Sequence, residues 1–339
     1  MKPDHTQDGA EVLPPLEPSQ SQQLFGSHRD EPLMEPLEYA VTDDELADKQ
    51  GNYVFTVGNV SSGKSTLQSL LVARLWSRED IQFRYNCQKG DHRHDHLLNE
   101  WVDNIRHGIL PPRTKQGRLQ EFNVSFGQAK KRHLDVSFLE ISGEDIKSIV
   151  PTLDVDERPR LNTQLVEYLR AKKSRINKRF IFVSDCQANR ALAERSQPRS
   201  TSEDILFNAL LRYLLGKDGL AMERLNLLFV AAKWDTVTQD YRTVQQYFQR
   251  HFPQSRAVLQ SERCTAVYVP FSVGTLADVA IPDDSPDSQH LEKRIVSLES
   301  YYIDVVIQWL YHSFTGSQLR NMPKIRQGWP DKILRLFAR

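Results

Sequence analysis

The three cysteines of this 339-residue chain, Cys87, Cys186 and Cys264, lie far apart and form no CxxC pair. Their spacing argues against a disulfide framework and against a zinc knuckle. No apolar run approaches the roughly 20 residues needed to span a bilayer, so no transmembrane segment is expected. The N-terminus is rich in acids, prolines and polar residues, unlike a secretory signal or an Arg-rich transit peptide. With no address in view, the expected location is cytoplasmic. Net charge is also missing, since 44 Lys and Arg balance 44 Asp and Glu. The balance hides an asymmetry: residues 1–49 hold twelve acids and three bases, which leaves the rest of the chain mildly basic. Two readings of that leader stay open, a solvated tail too polar to fold and a partner-binding arm.

What is present is an ordinary globular composition, long enough for a sizeable core. Residues 1–50 carry Pro3, Pro14, Pro15, Pro18, Pro32 and Pro36 without sustained periodicity and read as a disordered acidic leader. Folded structure is expected from about 51 to 315, with an insert at about 77–133 and a C-terminal extension over 316–339. Strands are predicted over 52–57, 122–126, 134–140, 180–184, 227–230 and 266–269, the second pairing antiparallel with the third. The last three are near-continuous apolar runs, suited to burial on both faces of a parallel sheet. Helices are predicted over 65–76, 161–172, 205–215, 244–251 and 290–314. The last follows Leu291, Ile295, Leu298, Tyr302, Val306 and Trp309, spaced three to four apart. The alternation gives an α/β fold with a doubly wound, mostly parallel sheet flanked by helices.

Between the first strand and the first helix stands Gly58-Asn59-Val60-Ser61-Ser62-Gly63-Lys64-Ser65, a full GxxxxGKS phosphate loop. Gly58 and Gly63 let the backbone turn and approach phosphate closely. The loop amides form an anion nest, to which the following helix adds its positive end. Lys64 supplies a cation for the β- and γ-phosphates, and Ser65 offers a hydroxyl to Mg²⁺. Gly58, Asn59, Val60, Ser61, Ser62, Gly63, Lys64, Ser65 and Thr66 are therefore the candidate phosphate ligands. The loop alone leaves kinases, ATPases and GTPases open.

Later strands narrow the choice. Ala232-Lys233-Trp234-Asp235 directly follows the strand 227–230 and resembles the Asn-Lys-x-Asp motif of TRAFAC-class P-loop GTPases. The resemblance implies that Asp235 accepts hydrogen bonds from guanine, that Lys233 lays its stem along the base, and that GTP and GDP are the ligands. Ala232 departs from the family, whose Asn braces the loop. Glu140-Ile141-Ser142-Gly143 resembles Asp-x-x-Gly, which implies Glu140 at Mg²⁺ and the Gly143 amide at the γ-phosphate. Ser272, after the last parallel strand, matches the small loop that touches guanine. The same resemblance implies a switch threonine between Ser65 and Glu140. Thr114 is the candidate, a metal and catalytic residue, with a plain loop threonine as the alternative. Glu144 falls where many such proteins keep a water-orienting Gln. The spacing is similar to bacterial double-GTPase and conflict-system members more than to Ras.

Two other signals read as structural. His92, His94 and His96, with Asp91, Asp95 and Cys87, lack the full spacing of a metallo-β-lactamase site and read as a polar insert. The basic runs 130–133 and 170–179 lack interleaved aromatics, so no nucleic-acid partner is expected. The expected activity is GTP hydrolysis in a molecular switch, slow on its own, with a protein effector or self-association as partner. An ATP-dependent enzyme such as a kinase, and a nucleotide-holding scaffold with little turnover, are the alternatives.

Overall fold

The computed structural model describes residues 49–85, 93–111, 119–143, 146, 163–171, 175–194, 202–215, 225–260, 264–282, 289–298 and 301–324. Strand β1 (Gly51–Val57) leads through the phosphate loop into helix α1 (Lys64–Ser77). Then come β2 (Gln82–Tyr85), α2 (Arg93–Arg106), β3 (Leu119–Gly127) and β4 (Leu134–Ile141). Helix α3 (Thr163–Arg170) precedes β5 (Ile176–Asp185), which runs directly into α4 (Cys186–Glu194). Helix α5 (Ser202–Leu215), β6 (Leu225–Ala232), a 3₁₀ turn (Trp234–Val237), α6 (Val244–His251), α7 (Pro253–Leu259) and β7 (Cys264–Phe271) follow. The chain continues with a hairpin, β8 (Gly274–Pro282) and β9 (Gln289–Leu298), and with α8 (Tyr301–Thr315).

Seven strands form one sheet in the order β2-β3-β4-β1-β5-β6-β7. From β4 to β7 all pairings are parallel, while β2–β3 and β3–β4 are antiparallel. The expected antiparallel partner of the 134–140 strand is therefore present, and the fold is the expected α/β type. Connectivity reverses at β1, so the crevice beyond its C-terminal end is a topological switch point, where open α/β sheets bind ligands. The period-2 alternation of β1 divides its side chains between two cores. Val54 faces a cluster built from α1, α2 and α8, including Leu71, Trp101 and Ile307. Tyr53, Phe55 and Val57 face the other, with Leu165 of α3, Phe207 of α5 and Phe248 of α6.

The stretch 77–133 supplies two strands of the main sheet and the buried face of α2, Leu98, Trp101, Val102 and Ile105. The described part of the C-terminal stretch also packs down. Leu319 and Met322 are buried, and Gln308 and Leu319 exchange side-chain–backbone hydrogen bonds. Arg74 makes a bidentate pair with Asp304, both contacts 3.0 Å, and Arg78 adds a third bond to the same carboxylate at 3.1 Å.

One element differs from expectation. The predicted helix 290–314 begins as the strand Gln289–Leu298, paired with Gly274–Pro282, and only Tyr301–Thr315 is helical. Spacing of three to four at Leu291, Ile295 and Leu298 looks helical when read alone, but pairing across strands overrides it. Ile295 is half-buried and its neighbour Val296 is 57% exposed, the alternation of a strand. The hairpin is fastened to the end of α2, where the Ile295 N–H donates to the Gly108 carbonyl at 2.7 Å. Gly108 has φ 74°, and a Cβ there would lie 2.5 Å from the Ile295 carbonyl oxygen, so only glycine fits.

Candidate functional site

The site is built at the C-terminal ends of β4, β1, β5, β6 and β7. The loop 58–63 turns through Ser61 at φ 62° and Gly63 at φ 94° before α1 begins. No side chain caps the start of α1 and its first turn holds no acid. The uncapped, acid-free helix start beside Lys64 is the electrostatic setting for an anion. A Cβ on Gly58 would lie 2.4 Å from the Val183 carbonyl oxygen of β5, so the loop can lie against that strand only as glycine. Lys64 is only 6% exposed, and its ammonium donates to the carbonyls of Gly58 (3.1 Å) and Asn59 (2.9 Å). Burial lowers its pKa, which the carboxylates of Glu140 and Glu203 partly counter.

At the end of β4, Glu140 is fully buried, and the Ser65 hydroxyl donates to its Oε1 at 2.6 Å. The two residues are 75 positions apart in sequence. They meet because β1 and β4 are neighbours, with Thr56 opposite Glu140. A hydroxyl and a carboxylate side by side are hard oxygen donors of the type Mg²⁺ prefers, so these residues fit that ion. Gly143 lies against the phosphate loop itself, where a Cβ would come within 2.4 Å of the Val60 nitrogen.

On the other side of β1, Lys233 has φ 57° and Asp235 lies in the 3₁₀ turn after β6. Ser272, 3% exposed and just past β7, donates its hydroxyl to Asp235 Oδ1 at 2.8 Å and accepts the Asp235 N–H at 3.1 Å. The turn is anchored by buried Trp234 and Val237. Ala232 is buried at the end of β6, and its methyl lies 3.6 Å from where a Cβ of Gly63 would be.

The structure thus brings Gly58 to Ser65, Glu140, Gly143, Lys233, Asp235 and Ser272 to one edge of the sheet. Thr114, Glu144 and His92 lie outside the described residues. His94 and His96 fall on α2, whose first residues are described by backbone alone. Among the described residues no cluster of three or more His, Cys, Asp or Glu could hold a metal.

Between the phosphate loop and the Lys233 turn lies a buried polar network that no motif marks. Glu203 of α5, 2% exposed, accepts hydrogen bonds from the Ser184 hydroxyl (2.8 Å), the Asn189 amide (2.7 Å) and the Asp185 N–H (3.2 Å). Burial raises its pKa to about 7, against the pull of those donors. Tyr247 joins the network through Ser184 and Asn189, both at 2.8 Å. Asp185 ends β5 and pairs with Lys233 at 2.5 Å. The available signal was positional: an acid at the C-terminal end of a central parallel strand.

The model of the double-GTPase 1 family matches residues 55–275, which span the end of β1, the loop, both flanking carboxylates and Ser272. The chain belongs to this family. Double-GTPase 1 membership agrees with the guanine-nucleotide reading of the motifs and with the P-loop fold. No curated protein matches the chain. Among solved structures it is similar to the signal recognition particle receptor SRβ-GTP/SRX complex of Chaetomium thermophilum, at 11% identity and TM-score 0.38, over 66% of this chain and 91% of that one. It is also similar to the Ski7 GTPase-like domain of S. cerevisiae bound to GTP, at 16% identity and TM-score 0.35, over 68% of this chain and 44% of that one. Likenesses of this size carry no ligand or residue role over to this chain. Among the described residues no helix is long and apolar enough to cross a membrane.

Proposed function

We propose that this double-GTPase 1 protein binds GTP and GDP and hydrolyses GTP to GDP and phosphate, acting as a molecular switch. The observation that carries the reading is the Asp235–Ser272 pair, which presents a carboxylate at the end of β6, two strands from β1 and its phosphate loop. A carboxylate fixed there matches the two donors on the guanine edge, whereas adenine would leave it an unmatched acceptor. Loop amides 58–63 and Lys64 would hold the phosphates, and Lys233 the base. Ser65 and Glu140 would hold Mg²⁺, which when bound neutralises phosphate charge.

In the proposed reaction water attacks the γ-phosphorus in line, and the bond to the β–γ bridging oxygen breaks. Lys64 stabilises charge on the phosphoryl oxygens, and the Gly143 amide is the proposed γ-phosphate contact. Thr114 is proposed at the metal and Glu144 beside the attacking water. A carboxylate at 144 accepts a proton but adds negative charge, so intrinsic turnover is slow. A cation from an effector or a second copy would raise it by about 10³–10⁵-fold. Single-turnover phosphate release with Mg²⁺ tests this. Slow GTP turnover, abolished in Lys64→Ala and absent with ATP, is expected. ATP turnover equal to that of GTP would replace the reading with an ATP-dependent enzyme.

A further inference from the structure

Residue 233 is a lysine in the left-handed region, a conformation that residues other than Gly, Asn and Asp seldom adopt and that needs external support. The preceding residue cannot give it, because Ala232 offers only a methyl group, facing Gly63. Support comes from the neighbouring strand. Asp185 is in register with Ala232 across the β5–β6 pairing, and its carboxylate divides its two oxygens between two tasks. Oδ1 accepts the Ala188 N–H at 3.0 Å and caps α4; Oδ2 takes the Lys233 ammonium at 2.5 Å. The Asp185 backbone is itself fixed, because its N–H donates to both oxygens of buried Glu203, each at 3.2 Å.

A second tie runs in parallel. From α4, Arg190 donates to the Thr236 carbonyl at 2.8 Å and pairs with Asp240 at 3.3 Å. Thr236 in turn donates its N–H and hydroxyl to the Lys233 carbonyl, at 3.1 and 2.7 Å. Lys233 is therefore held by its side chain from Asp185 and by its carbonyl from Thr236, and Asp235 lies two residues further on.

We infer that Asp185 is the positioning residue of the base site, setting the Lys233 turn so that Asp235 meets the base. This inference rests on the guanine reading. Asp185 is placed to act through Lys233 and not to touch the nucleotide. Its carboxylate does for the turn what a longer polar side chain at 232 could do from within it. Specificity for the base then depends on an ion pair between two strands.

The test is a double-mutant cycle on the full chain, reading GDP and ADP affinities by titration and folding by thermal melting. Asp185→Asn keeps an acceptor for the Ala188 N–H but turns a donor toward the ammonium, so the pair alone is lost. Losing a hydrogen bond between charged groups should weaken GDP binding by about ten- to a hundredfold. The loss in the double variant with Lys233→Ala should be no larger than in Lys233→Ala alone, because the two act as a unit. Asp185→Ser, also a good N-cap, gives the same reading if the Asn variant does not fold. GDP affinity unchanged in either folded variant, or losses that add in the double variant, would overturn the assignment while leaving the guanine reading intact. A wild-type protein that binds ADP as tightly as GDP would overturn both.

Discussion

Replacing Gly143 by Ala is the sharpest perturbation available at the junction of β4 and the phosphate loop. The new Cβ would stand 2.4 Å from the Val60 nitrogen, 2.5 Å from the Asn59 carbonyl carbon and 2.8 Å from the Gly58 carbonyl oxygen. All three are backbone atoms, so no side chain can swing away. Restoring ordinary contact requires a retreat of about 1 Å between two segments that share no flexible atom at the point of contact. Overpacking of this kind costs about 1–3 kcal/mol, and a domain of this size then melts several degrees lower, at roughly 2–4 °C per kcal/mol. The damage is directional as well, because the retreating segment is the loop that would hold phosphate. Melting followed by GDP titration should show both a lower Tm and weaker binding. A variant with wild-type Tm and wild-type GDP affinity would refute the close approach and, with it, the proposed contact of Gly143 with nucleotide.

Further outcomes follow from the same geometry. Lys64→Ala should fold, since the ammonium bonds only loop carbonyls, yet lose GDP affinity by at least tenfold in titration. Ser65→Ala should bind nucleotide with little dependence on Mg²⁺, checked by repeating the titration with and without the ion. Glu203 has its folded pKa raised to about 7 from an ordinary 4.5. The folded state thus holds the proton to higher pH, and the stability this group contributes is full below about 4.5 and lost as pH rises through 7. Denaturant unfolding of wild type and Glu203→Gln should therefore show wild type losing ground to the variant across that window. Asp304→Ala should cost about 2–3 kcal/mol in denaturant unfolding, because it removes three charge-assisted hydrogen bonds from Arg74 and Arg78; the partial exposure of Arg74 and the retained Arg78–Asp80 pair keep the cost below that of a fully buried pair.

The parallel strands were legible because a strand buried on both faces is a short apolar run, as in Phe180–Val183 and Leu227–Val230, whose brevity and aromatic and β-branched residues set it apart from a buried helix segment. The phosphate loop was legible because its chemistry fixes both residue type and spacing. Strand β9 was not. Its apolar residues fall at helical intervals, and what decides its state is pairing with β8 across the hairpin and a bond to Gly108 just past α2, neither of which its own residues reveal. Helix α2 was hidden among histidines and acids, although Leu98, Trp101, Val102 and Ile105 carry helical spacing. Ser272 was expected in the loop that touches the base, and the structure adds a hydroxyl that holds Asp235. Asp185 and Glu203 belong to no motif. Their roles arise from the register of β5 with β6 and from the packing of α5 beneath, which no local pattern encodes.

The most direct measurement of the central claim is equilibrium titration of GDP and ADP against the full chain, wild type and Asp235→Ala. A site built to hydrogen-bond guanine can reject the base that lacks its donors by about 10⁴-fold. Wild type should bind GDP far more tightly than ADP, and Asp235→Ala should erase the difference while keeping the fold. Equal affinities of the wild-type protein for the two nucleotides would contradict that claim.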